Sequence, residues 1–252
     1  MASILDRYGI KEVADVTFYD INEDGTTGAP VLYLDTLKVS TIEQTAEEAE
    51  ARGGKGNAPL IIWDYGKEIN VTLEDALFSA KSMAIMFGNG KVTDMKTIKK
   101  TIMFVGNKKP TEWELPNGEK KSIPDTAEYY TAEGVKIEDV KAESFEAGKR
   151  YFCTFDMEVA GQVIEISANT FPGTYYVTGD TYARSETTGK DEFFQFIIAK
   201  AKMQSENTIT LEAEGDPSVF NMNLRVLRPA DGKMMKLVKY SIDGDAQEEN
   251  VG

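Results

Sequence analysis

From Lys149 onward the chain alternates apolar and polar residues with a period of two, and this pattern constrains the fold more than any other feature. The alternating runs are 150–159, 162–168, 174–183, 192–203, 208–213, 221–227 and 233–242, separated by the short links AG, NTFPG, SETTGKD, QSEN, EGDPS and RPADG. A side-chain period of two belongs to half-buried strands, and turn-rich links this short join antiparallel neighbours. The expected class is therefore mainly β, an antiparallel sandwich or barrel.

The stretch from Arg52 to Gly88 adds the one packed α-helix. It opens on Gly53, Gly54 and Gly56 and is closed by Asn57, a run that tolerates backbone angles closed to other residues. An apolar run, Leu60–Trp63, a turn at Asp64–Gly66 and an alternating segment with Ile69, Val71 and Leu73 on one face spell a hairpin. Asp75 stands where an N-cap would open a helix over 76–87, whose Ala80, Met83, Ala84 and Phe87 share a face, with Gly88 at its end. Residues 41–51 hold only small or few apolar side chains and are expected to form an extended or adaptable arm that leads into the glycines.

Nearer the N-terminus, 3–9 could make one helical turn, and 13–19 and 31–40 read as strands around the turn-rich loop NEDGTTGAP. After the helix, 97–105 is a strand. The stretch 107–147 changes character: Pro110, Pro116 and Pro124, scattered charges and one strand candidate near 135–140 suggest a surface insertion without a core of its own. The expected organisation is one β domain over 1–242, carrying that insertion and followed by an acidic, disordered tail over 243–252.

Composition excludes several functions. The 252 residues carry 42 acidic and 28 basic side chains, a formal charge of −14, which repels nucleic-acid phosphates and anionic membranes. No histidine is present, and the single Cys153 permits neither an internal disulfide nor a cysteine-based zinc site. No stretch of 18 apolar residues occurs, so neither a membrane span nor a cleaved signal is expected.

Near-motifs fail on inspection. Asp20–Gly25 spells the first half of a calcium loop, but its twelfth position is Val31 instead of glutamate. Gly88-Asn89-Gly90-Lys91 lacks the first glycine and the Ser/Thr of a phosphate loop. The acidic neighbours Glu47–Glu48, Glu74–Asp75 and Asp191–Glu192 are common in an acidic chain, and they suggest caps or solvated faces before a hydrolase. Trp63, Trp113, Tyr129 and Tyr130 could serve a monomeric β-sandwich that binds carbohydrate, although such rings more often pack in a core.

The stretches VSTIEQTAEEAEARGGKGN, VTLEDALFS before the helix, GTYYVTGDTYARSETTGKDEFFQFIIAKAKM, and TLEAEGDPSVFNMNLRVL with its EGDPSVF link together resemble the tail tube (major tail) proteins of long-tailed bacteriophages. The resemblance covers roughly 10–106 and 148–242 and leaves 107–147 unplaced. It implies a β-sandwich with one packed helix, assembled as hexameric rings that stack into a hollow tube through which DNA passes without specific binding. The implied partners are further copies of the chain and the tape measure, terminator and baseplate proteins. The implied setting is the virion tail, assembled in the host bacterial cytoplasm, with no membrane, cofactor, metal or catalytic residue. Another baseplate or capsid-associated role is the nearest alternative. Within this reading Arg52, Gly53, Gly54, Lys55, Gly56 and Asn57 are the candidate subunit-interface residues, at the tip or base of an arm over 41–58.

Overall fold

The computed structural model describes residues 7–88, 92–141, 144–206, 209 and 219–240, with the backbone alone for 95 and 96. The predicted strand 208–213, the EGDPS link, the Asn89–Lys91 run and the acidic tail fall largely or wholly outside the described residues. The chain divides into two compact units, one built from its two ends (up to 92, and from 164 on), the other from 93–163.

In the first unit the strands are β1 (Tyr8–Ile10), β2 (Asp15–Ile21), β3 (Thr27–Leu34), β4 (Leu37–Gly53) and β5 (Ala58–Asp75). After α1 (Ala80–Phe87), the same unit resumes with β11 (Thr174–Ser185), β12 (Asp191–Met203), β13 (Phe220–Val226) and β14 (Met235–Tyr240). They form one antiparallel sheet in the order β3-β2-β11-β12-β13-β5-β4, with β1 added beside β11 and β14 beside β12. Of the helical turn expected over 3–9, Tyr8 and Gly9 belong to β1 instead, and residues 3–6 lie outside the described residues.

One strand makes this single sheet into two layers. On one edge β12 pairs with β14 through Phe193–Ile198 and then with β13 through Ala201–Met203. Between these two stretches two residues of β12 face a single residue of β11, a bulge that bends the strand where its neighbour changes. The inward residues of both layers then meet in one core: Val16 and Phe18 from β2, Val71 and Leu73 from β5, Ile198 and Met203 from β12, Met222 and Leu224 from β13. Phe18 sets its edge against Tyr175, with ring centroids 5.9 Å apart. This is the expected sandwich with one packed helix.

The helix starts later than the sequence suggested. Ser79, not Asp75, is its N-cap: the Ser79 hydroxyl accepts from Ser82 N at 3.0 Å, and Ser82 Oγ accepts from Ser79 N at 2.9 Å. Asp75 is the buried last residue of β5, accepting from Thr36 Oγ1 at 2.5 Å and Leu77 N at 3.3 Å. The buried set is correspondingly Ser82, Ala84, Ile85 and Met86, with Phe87 only partly covered. Gly88 does close the helix, its N–H donating to Ala84 O at 3.0 Å.

The second unit consists of β6 (Thr93–Val105), β7 (Glu112–Glu114), β8 (Lys120–Ser122), β9 (Glu128–Thr131) and β10 (Arg150–Val163). Its main sheet runs β6-β10-β9, and β7 and β8 make a separate hairpin. Strand β10 runs through the Ala160-Gly161 link read as a turn, which is a register shift instead. The expected strand at 135–140 is reduced to a single bridge between Tyr130 and Lys136.

Residues 107–147 are accordingly not a coreless insertion. Their Tyr129 and Phe145 pack with Tyr151, Cys153 and Phe155 in an apolar cluster. Phe104 stands edge-on to Tyr129 at 6.2 Å and stacks on Tyr151 at 5.8 Å. The apolar residues missing from the stretch come from the flanking strands β6 and β10. A fragment spanning Thr93–Val163 is therefore expected to fold alone, with a cooperative melt and dispersed aromatic proton resonances. A fragment lacking both would show that its core depends on the other unit.

Among the described glycines of the first unit, Gly179, opposite Phe196 in the β11–β12 register, has the least room for a side chain. A Cβ added there would lie 2.1 Å from Phe196 Cε1 and Cζ, atoms of a ring only 3 % exposed. Gly179→Ala must therefore displace a packed ring and is expected to cost about 1–3 kcal/mol in chemical denaturation. Adding Phe196→Leu should cost less than the sum of the two single changes, because the smaller side chain vacates the contested space.

Candidate functional site

The first unit has one element that its own core does not explain. Strands β4 and β5 are far longer than any interior layer requires, 17 and 18 residues, and they form a single hairpin. At its base β5 pairs with β13 through Asn70–Asp75 and buries Ile69, Val71 and Leu73. Beyond Glu68 the two strands pair, among the described residues, only with each other. Of the arm anticipated over 41–58, residues 46–58 lie in this distal ribbon, which also takes in 59–67, while 41–45 belong to its base. Its β5 strand runs unbroken through Asp64–Gly66, where a turn was expected.

Gly66 is a bulge. Ala46 on β4 faces two residues, Gly66 and Lys67, between the pairs Thr45↔Glu68 and Glu47↔Tyr65, and Gly66 adopts φ +60°. That left-handed conformation is the reason for a glycine here, and such a bulge adds bend and twist to the ribbon.

The candidate residues 52–57 form the far end. Gly53 is the last residue of β4, paired with Ala58. Gly54, Lys55, Gly56 and Asn57 make the turn, closed by Asn57 N donating to Gly54 O at 3.2 Å. Gly54 and Gly56 have φ +77° and +89°, and Asn57 adopts +50°. Arg52 is in an ion pair with Glu50 on its own strand. Lys55 has no ion pair among the described residues. The six residues are thus brought together at one tip.

The sequence reading missed what lies behind the tip. Leu60, Ile61, Ile62, Trp63 and Tyr65 are all more than half exposed, at 68, 51, 52, 52 and 53 %. So dense a run of exposed apolar side chains, spread over both faces of the strand, is unusual for a folded protein. The signal was present, since an apolar run that follows a glycine tip with no apolar counterpart on β4 cannot bury both its faces. The turn spelling of Asp64-Tyr65-Gly66 obscured it.

The polar constellations are occupied by their own neighbours. Asp24 of the calcium-like loop accepts from Thr26 N at 3.0 Å and Thr26 Oγ1 at 2.6 Å, and the hydroxyl contact above all holds its carboxyl below the ordinary range. Asp191 receives Arg184 Nε at 2.6 Å and Nη2 at 2.7 Å, and this pairing lowers its pKa. Glu192 pairs with Lys239 at 2.8 Å, and Glu47 and Glu48, consecutive on β4, point to opposite faces.

In the second unit Cys153 is buried, and burial pushes its thiol pKa up. Tyr129 is 1 % exposed in the core. Trp113 packs on Phe155 at 6.3 Å under the Lys100 ammonium, 4.8 Å from its ring centre. Both rings are spent on packing instead of forming a sugar platform. Among the described residues, no group of three or more His, Cys, Asp or Glu side chains is placed to hold a metal ion, and no helix is long and apolar enough to cross a membrane.

No curated protein shows a match to the chain. The family model described as the YomU/Tube protein family, by contrast, matches residues 8–239, across both units. The resemblance read from the sequence and the match therefore agree, and this chain belongs to the YomU/Tube family, a phage tail tube protein family.

Proposed function

We propose that this protein self-assembles into closed rings, six copies to a ring, that stack into the hollow tail tube through which phage DNA passes. The observation that carries the proposal is the distal β4–β5 ribbon. A two-stranded hairpin alone in water is marginally stable at best, because both edges present unpaired N–H and C=O groups and neither face is covered. Here the outer edge of β4 and the edge of β5 before Asn70 have no partner strand among the described residues. Each copy therefore offers two different edges, and pairing β4 of one copy with β5 of the next uses both. A contact between two different surfaces repeats around a ring until it closes.

The tip at 52–57 then lies at the boundary between neighbouring copies, where its glycines permit close backbone approach and Lys55 finds acidic partners on a chain of charge −14. The same negative charge leaves DNA free to move, since a wall that bound phosphates would stall it. The ends of such a tube would meet the terminator and baseplate proteins, and its channel would hold the tape measure protein, with assembly in the bacterial cytoplasm. The protein's role in this reading is structural, with no catalytic step, cofactor or membrane.

The experiment is to remove residues 46–67 and join Thr45 to Glu68 through Asn-Gly, a two-residue hairpin turn. The unmodified protein is expected to form rings and tubes of uniform width in negative stain. The shortened protein should stay monomeric in sedimentation while its thermal unfolding remains cooperative. Tubes formed by the shortened protein, or an unmodified protein that is monomeric at every concentration tried, would overturn the proposal.

A further inference from the structure

Alternation along the arm is set by the bulge, and the two faces that result differ in chemistry. Below Gly66 the core-side face carries Ile42, Gln44, Ile69 and Val71, in the pairs Ile42↔Val71 and Gln44↔Ile69. Strand β4 continues without interruption, so Glu48 and Glu50 stay on that face. Because the bulge absorbs one residue of β5, their partners are Asp64 and Ile62. The opposite face, which carries Asn70 and Thr72 near the base, becomes Tyr65, Trp63 and Ile61 beside Ala49 and Ala51. Without the bulge Trp63 and Tyr65 would sit among the carboxylates.

The two faces cannot be covered equally well. Glu48 and Asp64 are direct cross-strand partners of like charge, tolerable in water and costly once desolvated. The aromatic face carries one acid at its lower end, Glu47 opposite Tyr65, and none from Trp63 to the tip. Its three large side chains form a ridge beside the shallow strip left by the two alanines.

The chain also supplies a matching surface. Leu77 and Phe78, just past the end of β5, are 63 % and 56 % exposed, and Phe78 lies against Phe220 with ring centroids 4.4 Å apart. From Trp63 to Asp75 an extended strand spans roughly 40 Å. The two apolar surfaces therefore stand at opposite ends of one strand and cannot meet within a copy. They can meet between copies, head to tail.

Resting on the tube reading, we propose that the Gly66 bulge sorts the arm into a docking face and a wet face. Ile61, Trp63 and Tyr65 are covered by the Leu77–Phe78 end of a second copy, while Glu48, Glu50 and Asp64 remain in water.

Neighbouring isoleucines test this directly. Ile61 and Ile62 are equally exposed, 51 and 52 %, and lie on opposite faces. Ile61→Asp is expected to lower the yield of sedimenting particles at least about tenfold, since a charge would be buried at every copy. Ile62→Asp should leave the yield within about twofold, as expected of a surface change. In a Trp113→Phe background Trp63 is the sole tryptophan, and its emission should shift to the blue and lose iodide quenching as particles form. Equal loss in both variants, loss in Ile62→Asp alone, tolerance of both, or a Trp63 still quenched inside particles would overturn the face assignment and leave the tube reading standing. An unmodified protein that forms no particles would overturn both.

Discussion

Completion of backbone pairing is the constraint on which the first unit depends. Strand β12 satisfies it within the body by serving two neighbours on one edge, β14 and then β13, with a bulge at the handover. Where the body's sheet ends, its edges are blunted: β3 carries Pro30, which cannot donate, and β14 carries Lys236 and Lys239. The distal part of β5 has Pro59 near the tip and Lys67 beside the bulge, but between them Leu60–Trp63 are more than half exposed along an edge with no partner strand among the described residues. Natural sheets avoid that combination unless something pairs with it. The contrast within one sheet, Pro or Lys on the body's edges and an exposed apolar run on the arm's, supports the proposal that the arm serves assembly.

Much of the body was legible in the sequence because alternation and turn chemistry agreed there. Strands β11, β12 and β13 begin within a residue of the predicted runs, and each buries the residues that alternation selects. The glycine tip was legible for the same reason, since Gly54, Gly56 and Asn57 do adopt left-handed angles. The errors lie where one spelling has two physical outcomes. Asp64-Tyr65-Gly66 can make a hairpin turn or a glycine bulge, and only the opposing strand, with Ala46 facing two residues, decides. Asp75 can cap a helix or end a strand. Its carboxylate is taken by Thr36, so the cap passes to Ser79. Residues 107–147 lacked a core because its other half, Phe104, Tyr151 and Phe155, is contributed by strands outside that stretch.

The second unit is attached in a way that leaves the first unit's pairing alone. The chain enters and leaves it at one cross-strand pair, Thr93 opposite Val163, so the insertion occupies a single point of the host chain. Its own strands β6 and β10 complete each other, and its aromatic cluster is its own. Nothing in the first unit's sheet order or apolar cluster includes a residue from 93–163. Among the described residues the arm and the core that anchors it are built from the two flanking parts of the sequence, whereas the tail-tube resemblance also takes in the second unit's strands β6 and β10.

Charge finally separates what can hold copies together from what cannot. At −14 per chain, any two copies repel before they touch, and exposed ion pairs return little against that because water and salt screen them. The ion pairs of the arm illustrate the point: Arg52 is already engaged by Glu50, and Arg225 holds Glu68 at the arm's base, so both cations serve their own copy. Apart from Lys55 at the tip, what the arm offers for association is uncharged, namely the backbone edges of β4 and β5 that have no partner among the described residues and the apolar ridge of Ile61, Trp63 and Tyr65. Backbone pairing fixes register, and apolar burial supplies free energy that salt does not screen. On the tube proposal that division suits a highly acidic chain: Glu48, Glu50 and Asp64 on the face left to water, apolar and backbone groups where copies meet.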